Sequence, residues 1–290
     1  MPLAFEAWTP HLLSAQCRGL AMNTGIVHEG DHAALIDPAL YPDEIEDIAA
    51  SCDARGLHVD TIILTHHHWD HVLGAARFAP ARIVTQQSYI AQTALELDHT
   101  RSSIRRCHAA QGFASPDPFE PPMPDQVVEH ITGLMVGELR VQLVHTPGHA
   151  RDHLSIYDAE SCSLWAGDML SDLEIPFVSD RLDAYERTLG MFAAMDIRVL
   201  IPGHGSATAD VVEIRARIAA DRVYLAELHS AVQVVVMAGG TMQEAAAACG
   251  GMRFRRPDAN AGAHTMNVEQ VFLELGGHAP GGVTLGWARE

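Results

Sequence analysis

One heptapeptide restricts this chain more than any other: Thr65-His66-His67-His68-Trp69-Asp70-His71. It follows Thr61-Ile62-Ile63-Leu64, a short apolar, β-branched run of the kind that forms a buried strand. Polarity then switches abruptly, and five of the six residues after Thr65 are His or Asp. A strand ending in such a cluster projects imidazoles and a carboxylate into one small volume. Donors that crowded repel one another or lie unsatisfied unless a cation sits between them. Imidazole nitrogen and carboxylate oxygen suit Zn²⁺, with Fe²⁺ or Mn²⁺ next.

Three further candidate ligands stand at other strand ends. They are His149 in Thr146-Pro147-Gly148-His149, Asp168 in Ala166-Gly167-Asp168, and His204 in Pro202-Gly203-His204-Gly205. Each follows an apolar run (Leu139–Val144, Leu164–Ala166 and Val199–Ile201) and is bracketed by Gly or Pro, which let the backbone turn sharply.

With these residues in place the chain resembles the metallo-β-lactamase fold superfamily, the group containing glyoxalase II and acyl-homoserine lactonases. The family pattern HxHxDH…H…D…H is matched in order by His66, His68, Asp70, His71, His149, Asp168 and His204, and the likeness covers about residues 20–210. The resemblance implies an α/β, four-layer αββα sandwich with a dinuclear metal site at one edge of its two sheets. It implies that His66, His68 and His149 hold the first ion, that Asp70, His71 and His204 hold the second, and that Asp168 bridges them. It also implies a supporting role for Asp37, at a strand end, and for His153, four residues after His149. A turn aspartate and a satisfied polar neighbour are the plainer readings of those two.

Composition narrows the partners. The net charge is −18, and all 19 basic residues are arginine. So acidic a surface repels phosphate backbones, making nucleic acid or an anionic membrane a poor partner, and without lysine there is no Schiff-base chemistry. The five cysteines, Cys17, Cys52, Cys107, Cys162 and Cys249, are widely spaced with no CxxC, the pattern of reduced thiols. No basic segment followed by an apolar run opens the chain, and the longest apolar stretch, near 232–239, is too short for a bilayer. The expectation is a cytoplasmic protein acting on a small molecule, with a homodimer as an option.

The pattern predicts two strands over 22–27 and 33–37, a helix over 42–56, the strand 61–64, and a helix over 70–79 whose positive end faces the metal site. His67 and Trp69 alternate with the ligands and point away from them, Trp69 as packing. A strand over 81–85 follows, then helices over 87–97 and 99–110 and a proline-rich loop over 116–124, so that 86–130 reads as a cap-like insertion or dimer contact. Arg101, Arg105 and Arg106 there form a solvated face sooner than an anion site. Strands over 133–144, 154–157, 163–166 and 198–201 and an amphipathic helix bearing Leu182, Tyr185, Leu189 and Phe192 complete a catalytic domain over 1–208. Helices over 209–238, 241–249 and 265–275 form an extension over 209–290 that closes the cleft. The basic loop 252–258, His264 and Asn267 lie within it, the last two more simply a helix-start loop than cleft residues.

The expected chemistry is hydrolysis of a small ester, lactone or thioester by a hydroxide shared between two divalent ions, most simply zinc, with iron or manganese as options. Asp70 and Asp168 are the catalytic carboxylates. Glutathione thioesters fit less well, because glyoxalase II holds its substrate's carboxylates partly with lysines. His68 in place of an acidic residue argues against the diiron oxygen-reducing branch. A metal-dependent ribonuclease, disfavoured by charge, a mononuclear iron persulfide dioxygenase, and a metal-binding protein without turnover are the alternatives.

Overall fold

The computed structural model describes residues 2–278 of the chain. Within them two sheets pack face to face and six helices cover their outer faces, four layers in all. The first sheet has seven strands in chain order: β1 (Glu6–Thr9), β2 (Leu12–Gln16), β3 (Asn23–Glu29), β4 (His32–Ile36), β5 (His58–Ile63), β6 (Arg82–Gln86) and β7 (Gln126–Val128). Its first four strands are antiparallel neighbours, and β4 to β7 run parallel. The second sheet comprises β8 (Ile131–Val136), β9 (Leu139–His145), β10 (Leu154–Asp158), β11 (Ser163–Trp165) and β12 (Val199–Ile201), in the order β12-β11-β10-β9-β8. The helices are α1 (Pro42–Arg55), α2 (Tyr89–Ala110), α3 (Leu182–Ala194), α4 (Val211–Met237), α5 (Met242–Cys249) and α6 (Pro257–Glu274).

The layering follows from the strand period of two. Within β4, Ala33 and Leu35 pack outward with Ile48 and Cys52 of α1, while Ala34 and Ile36 pack inward against the other sheet. Ile62 and Ile63 of β5 divide the same way. In the second sheet Trp165, Val199 and Ile201 face inward, and Leu164 and Leu200 face α3, α4 and α6. Strands covered on both faces carry apolar side chains at every position, which is why the sequence shows them as unbroken runs.

Several sequence-based elements are redrawn. The expected helix over 70–79 is absent; turns lead to one 3-10 turn, Ala75–Phe78. Asp70 and His71 turn toward one site, whereas adjacent residues on a helix diverge by about 100°. Gly74 also lies so close to the Pro38 carbonyl that a Cβ would fall 1.7 Å from its oxygen. The two helices expected over 87–110 are the single α2, since neither Gly nor Pro interrupts them. The last helix starts at Pro257, well before Thr265, because proline suits the first helical position. The segment 86–130 is only partly a cap: its end, β7, is an edge strand of the first sheet. The N-terminal strands β1 and β2 lie outside the elements that the sequence pattern predicts. Residues 279–290 of the expected C-terminal extension lie outside the described residues.

All five cysteines are free thiols; Cys17, Cys52 and Cys249 are buried and the other two half-buried. Among the described residues no helix is long and apolar enough to cross a membrane.

Candidate metal centre

The two sheets are stitched together at one edge, and the polar cluster sits there. Leu154 N donates to Thr65 O (2.7 Å), and Asn23 N donates to Gly203 O (2.7 Å), each joining a strand start of one sheet to a loop of the other. The seven residues expected as ligands converge at this seam, all buried or nearly so. His66, His68, His149 and Asp168 form one group able to hold a metal ion, and Asp70, His71 and His204 form another. Asp168 lies between them: Oδ1 is 3.2 Å from His71 Nε2, and Oδ2 is 3.2 Å from His204 Nε2, 3.5 Å from His149 Nε2 and 3.6 Å from His66 Nε2. Gly203 leaves room for that carboxylate, since a Cβ there would sit 2.1 Å from Asp168 Oδ1.

The outer hydrogen bonds decide which nitrogens face inward. His149 Nδ1 donates to Phe177 O (3.1 Å) and His204 Nδ1 to Leu20 O (3.0 Å); a carbonyl only accepts, so each Nδ1 carries its hydrogen. His71 Nδ1 donates to Asp37 Oδ2 (2.9 Å). Thr65 Oγ1 gives its hydrogen to Asp37 Oδ2 (2.6 Å) and accepts from His66 Nδ1 (3.0 Å). As neutral imidazoles all four direct an Nε2 lone pair into the cluster.

There the nitrogens crowd. His66 Nε2 is 2.9 Å and His149 Nε2 is 3.1 Å from His68 Nδ1, and His204 Nε2 is 3.3 Å from His71 Nε2. Asp168 Oδ1 is buried without a hydrogen-bond partner. Converging lone pairs around an orphaned carboxylate oxygen need a positive centre, and this donor set suits a divalent transition metal. Left to themselves the groups would divide protons unevenly. Burial holds His66 and His149 well below the ordinary imidazole value and brings His68 down to about 4. His71 and His204 are raised well above it, because the neighbouring carboxylates, Asp168 foremost, outweigh their burial. Burial alone would raise Asp70, but His71 and His204 bring it down to about 2.

Asp37 is therefore a brace for two imidazoles, not only a turn residue. His153 likewise supports the cluster: its Nε2 accepts from the Asp168 backbone N–H (3.0 Å), and its Nδ1 donates to Thr146 Oγ1 (2.8 Å). His67 points away as expected, its Nδ1 2.7 Å from Asp152 Oδ1 and its Nε2 3.1 Å from Glu96 Oε1 on α2. Sequence reasoning missed that role for Asp152, although the residue lies inside the His149–His153 segment. It also missed Glu96, whose helical spacing carries no such signal.

A cleft of about 730 Å³ opens over the cluster between α2 and α6. Leu20, Trp69, Ile175, Phe177 and Met266 line it, with Glu96, Glu174 and Glu269. Trp69 thus faces the cleft as well as packing, and Arg106 lies on the wall. Arg101 instead bonds Phe119 O and Glu120. His264 is packing, held by Tyr224 Oη (2.9 Å) and Cys249 O (3.2 Å). Asn267 braces the cleft: it accepts from Val178 N (2.7 Å) and donates to Pro176 O (2.6 Å) and Tyr224 Oη (2.9 Å). In the basic loop Arg255 pairs with buried Asp221 and with Ser171 O, which removes it as a substrate contact.

The metallo-beta-lactamase superfamily model matches residues 18–204, the span holding every residue of the cluster. The chain belongs to that superfamily. It is 28% identical over 137 residues to a hydroxyacylglutathione hydrolase of Rhodospirillum rubrum, covering 47% of this chain and 42% of that protein. It is 27% identical over 185 residues to an atrochrysone carboxyl ACP thioesterase of Aspergillus fumigatus, covering 63% of this chain and 50% of the other. The chain thus spans about half the length of these curated relatives. Among solved structures it resembles a metallo-beta-lactamase family protein of Thermus thermophilus, with a TM-score of 0.69, 24% identity, and coverage of 93% of this chain and 95% of that one. That likeness is one of fold and covers most of the chain.

Proposed function

We propose that this protein is a metal-dependent hydrolase of thioesters. The observation that carries the reading is Asp168, set among four imidazoles whose outer nitrogens are fixed, so that donors from two groups meet at one carboxylate. Two relatives from different lineages, one a hydroxyacylglutathione hydrolase and one an ACP thioesterase, support thioesters over other acyl substrates.

In this reading His66, His68 and His149 would hold one divalent ion and Asp70, His71 and His204 a second, with Asp168 between. Zinc is the first choice, and iron and manganese suit the same donors. Bound ions of this kind polarise an acyl carbonyl and lower the pKa of water toward about 7. The chain's part is positioning. Asp37, Thr65, Phe177 O and Leu20 O keep the ring nitrogens aimed inward. Asp70 presents its carboxylate to the cleft floor, where it can orient an attacking water. Trp69, Ile175 and Phe177 shield the reacting carbonyl from bulk water, and α2 and the C-terminal helices close over it as a cover.

The test is a panel of thioester, ester and lactone substrates offered to protein loaded with zinc, manganese or iron, with oxygen uptake and bound metal followed in parallel. Thioester turnover that vanishes in a His66→Ala, His68→Ala double variant is expected. Oxygen consumption with one iron per chain and no thioester turnover would overturn the reading in favour of a persulfide dioxygenase.

A further inference from the structure

The short connection between β2 and β3 has a backbone that its residues do not favour. Leu20 and Ala21 lie in the left-handed region, with φ of 58° and 49°, where a side chain beyond glycine is disfavoured. The loop is nonetheless pinned. Cys17 N donates to Met22 O (2.7 Å), Met22 N to Gly19 O (3.2 Å) and Gly205 N to Ala21 O (2.9 Å). Leu20 O receives His204 Nδ1. Such a conformation persists only where the surroundings over-determine it, and it concentrates at working sites.

The carbonyl of residue 20 would serve His204 equally well from a glycine, without the strain. The leucine side chain adds little to the core, since 52% of the residue is exposed. It stands on the cleft wall beside Asp70 and His204, with Trp69, Phe177 and Met266 lining the same space. We infer that Leu20 is a specificity-determining residue, a fixed apolar prong against which the hydrocarbon chain of the acyl group packs. The inference rests on the thioesterase reading and adds a preference for long or bulky apolar acyl groups over acetyl.

The experiment uses the whole zinc-loaded chain with two neutral thioesters, acetyl- and octanoyl-N-acetylcysteamine, and the variants Leu20→Gly and Leu20→Met. The wild type is expected to prefer the octanoyl substrate. Leu20→Gly, freed of left-handed strain, should melt at the wild-type temperature or above. Its octanoyl-to-acetyl ratio of kcat/KM should fall by about tenfold or more, mainly through the octanoyl KM. Leu20→Met should restore most of the octanoyl rate. Equal losses on the two substrates would mean that the loop acts only through His204 and would overturn the inference, as would no loss on either. A wild type that hydrolyses neither thioester would instead sink the thioesterase reading, and this inference with it.

Discussion

Asp37 Oδ2 lies 2.9 Å from His71 Nδ1 and, through Thr65 Oγ1 at 2.6 Å, also sets His66. One fully buried carboxylate thereby orients an imidazole in each of the two donor groups. Its other oxygen accepts from Thr65 N (2.8 Å), so it cannot swing away. Partners of this kind are worth about 10- to 100-fold in metal affinity. Asp37→Asn is expected to weaken metal binding by that factor for both groups together, read by competitive chelator titration. Loss confined to one metal equivalent would contradict the shared brace.

Asp168→Asn keeps the shape of the site and removes the charge that lies within 3.6 Å of four imidazoles. We expect thioester turnover to fall by about 10³-fold or more, with fewer metal equivalents retained after dialysis. Elemental analysis alongside steady-state kinetics checks it. Full metal content at a normal rate would remove Asp168 from its proposed position between two ions.

His67 supplies a pH test. Burial disfavours its charge, but Asp152 and Glu96 outweigh that and raise its pKa to about 9. A histidine raised in the folded state contributes stability that is complete below its unfolded value of about 6.5 and fades as pH climbs toward 9. The shift corresponds to on the order of 3 kcal/mol. Urea unfolding from pH 6 to pH 9.5 should show this decline in the wild type, and a flatter profile in His67→Gln. Parallel profiles would show that the imidazolium is not held between the two carboxylates.

Asn267, fully buried on α6, spends its amide on the loop that carries Phe177, whose carbonyl holds His149. Asn267→Ala strands buried groups at Val178 and Pro176 and should destabilise the fold by about 2–4 kcal/mol. Metal affinity at the His149 group should weaken as well, which a purely structural loss elsewhere in α6 would not cause. Denaturant melts and metal titration of the same variant separate the effects.

Three of the candidate ligands, His149, Asp168 and His204, were legible because each ends an apolar run and is bracketed by Gly or Pro, and the other four because they crowd into one heptapeptide, signals local to a few residues. The strands were legible as apolar runs, whereas the four-layer arrangement was implied by the family resemblance and not by any local pattern. What the chain could not show locally is who braces whom. Asp37 and His71 are 34 positions apart, His67 and Asp152 are 85, and Asn267 and Val178 are 89, and no spacing rule connects them. The helix expected over 70–79 failed for a related physical reason. Its residues have adequate local propensity, but two adjacent side chains committed to one site, and a backbone pressed against Pro38, outweigh it. Donor chemistry and strand-end position were thus determined by the sequence alone. Which nitrogen each imidazole turns inward, and which apolar side chains wall the cleft, were decided only by tertiary packing, because those depend on partners brought together from distant segments.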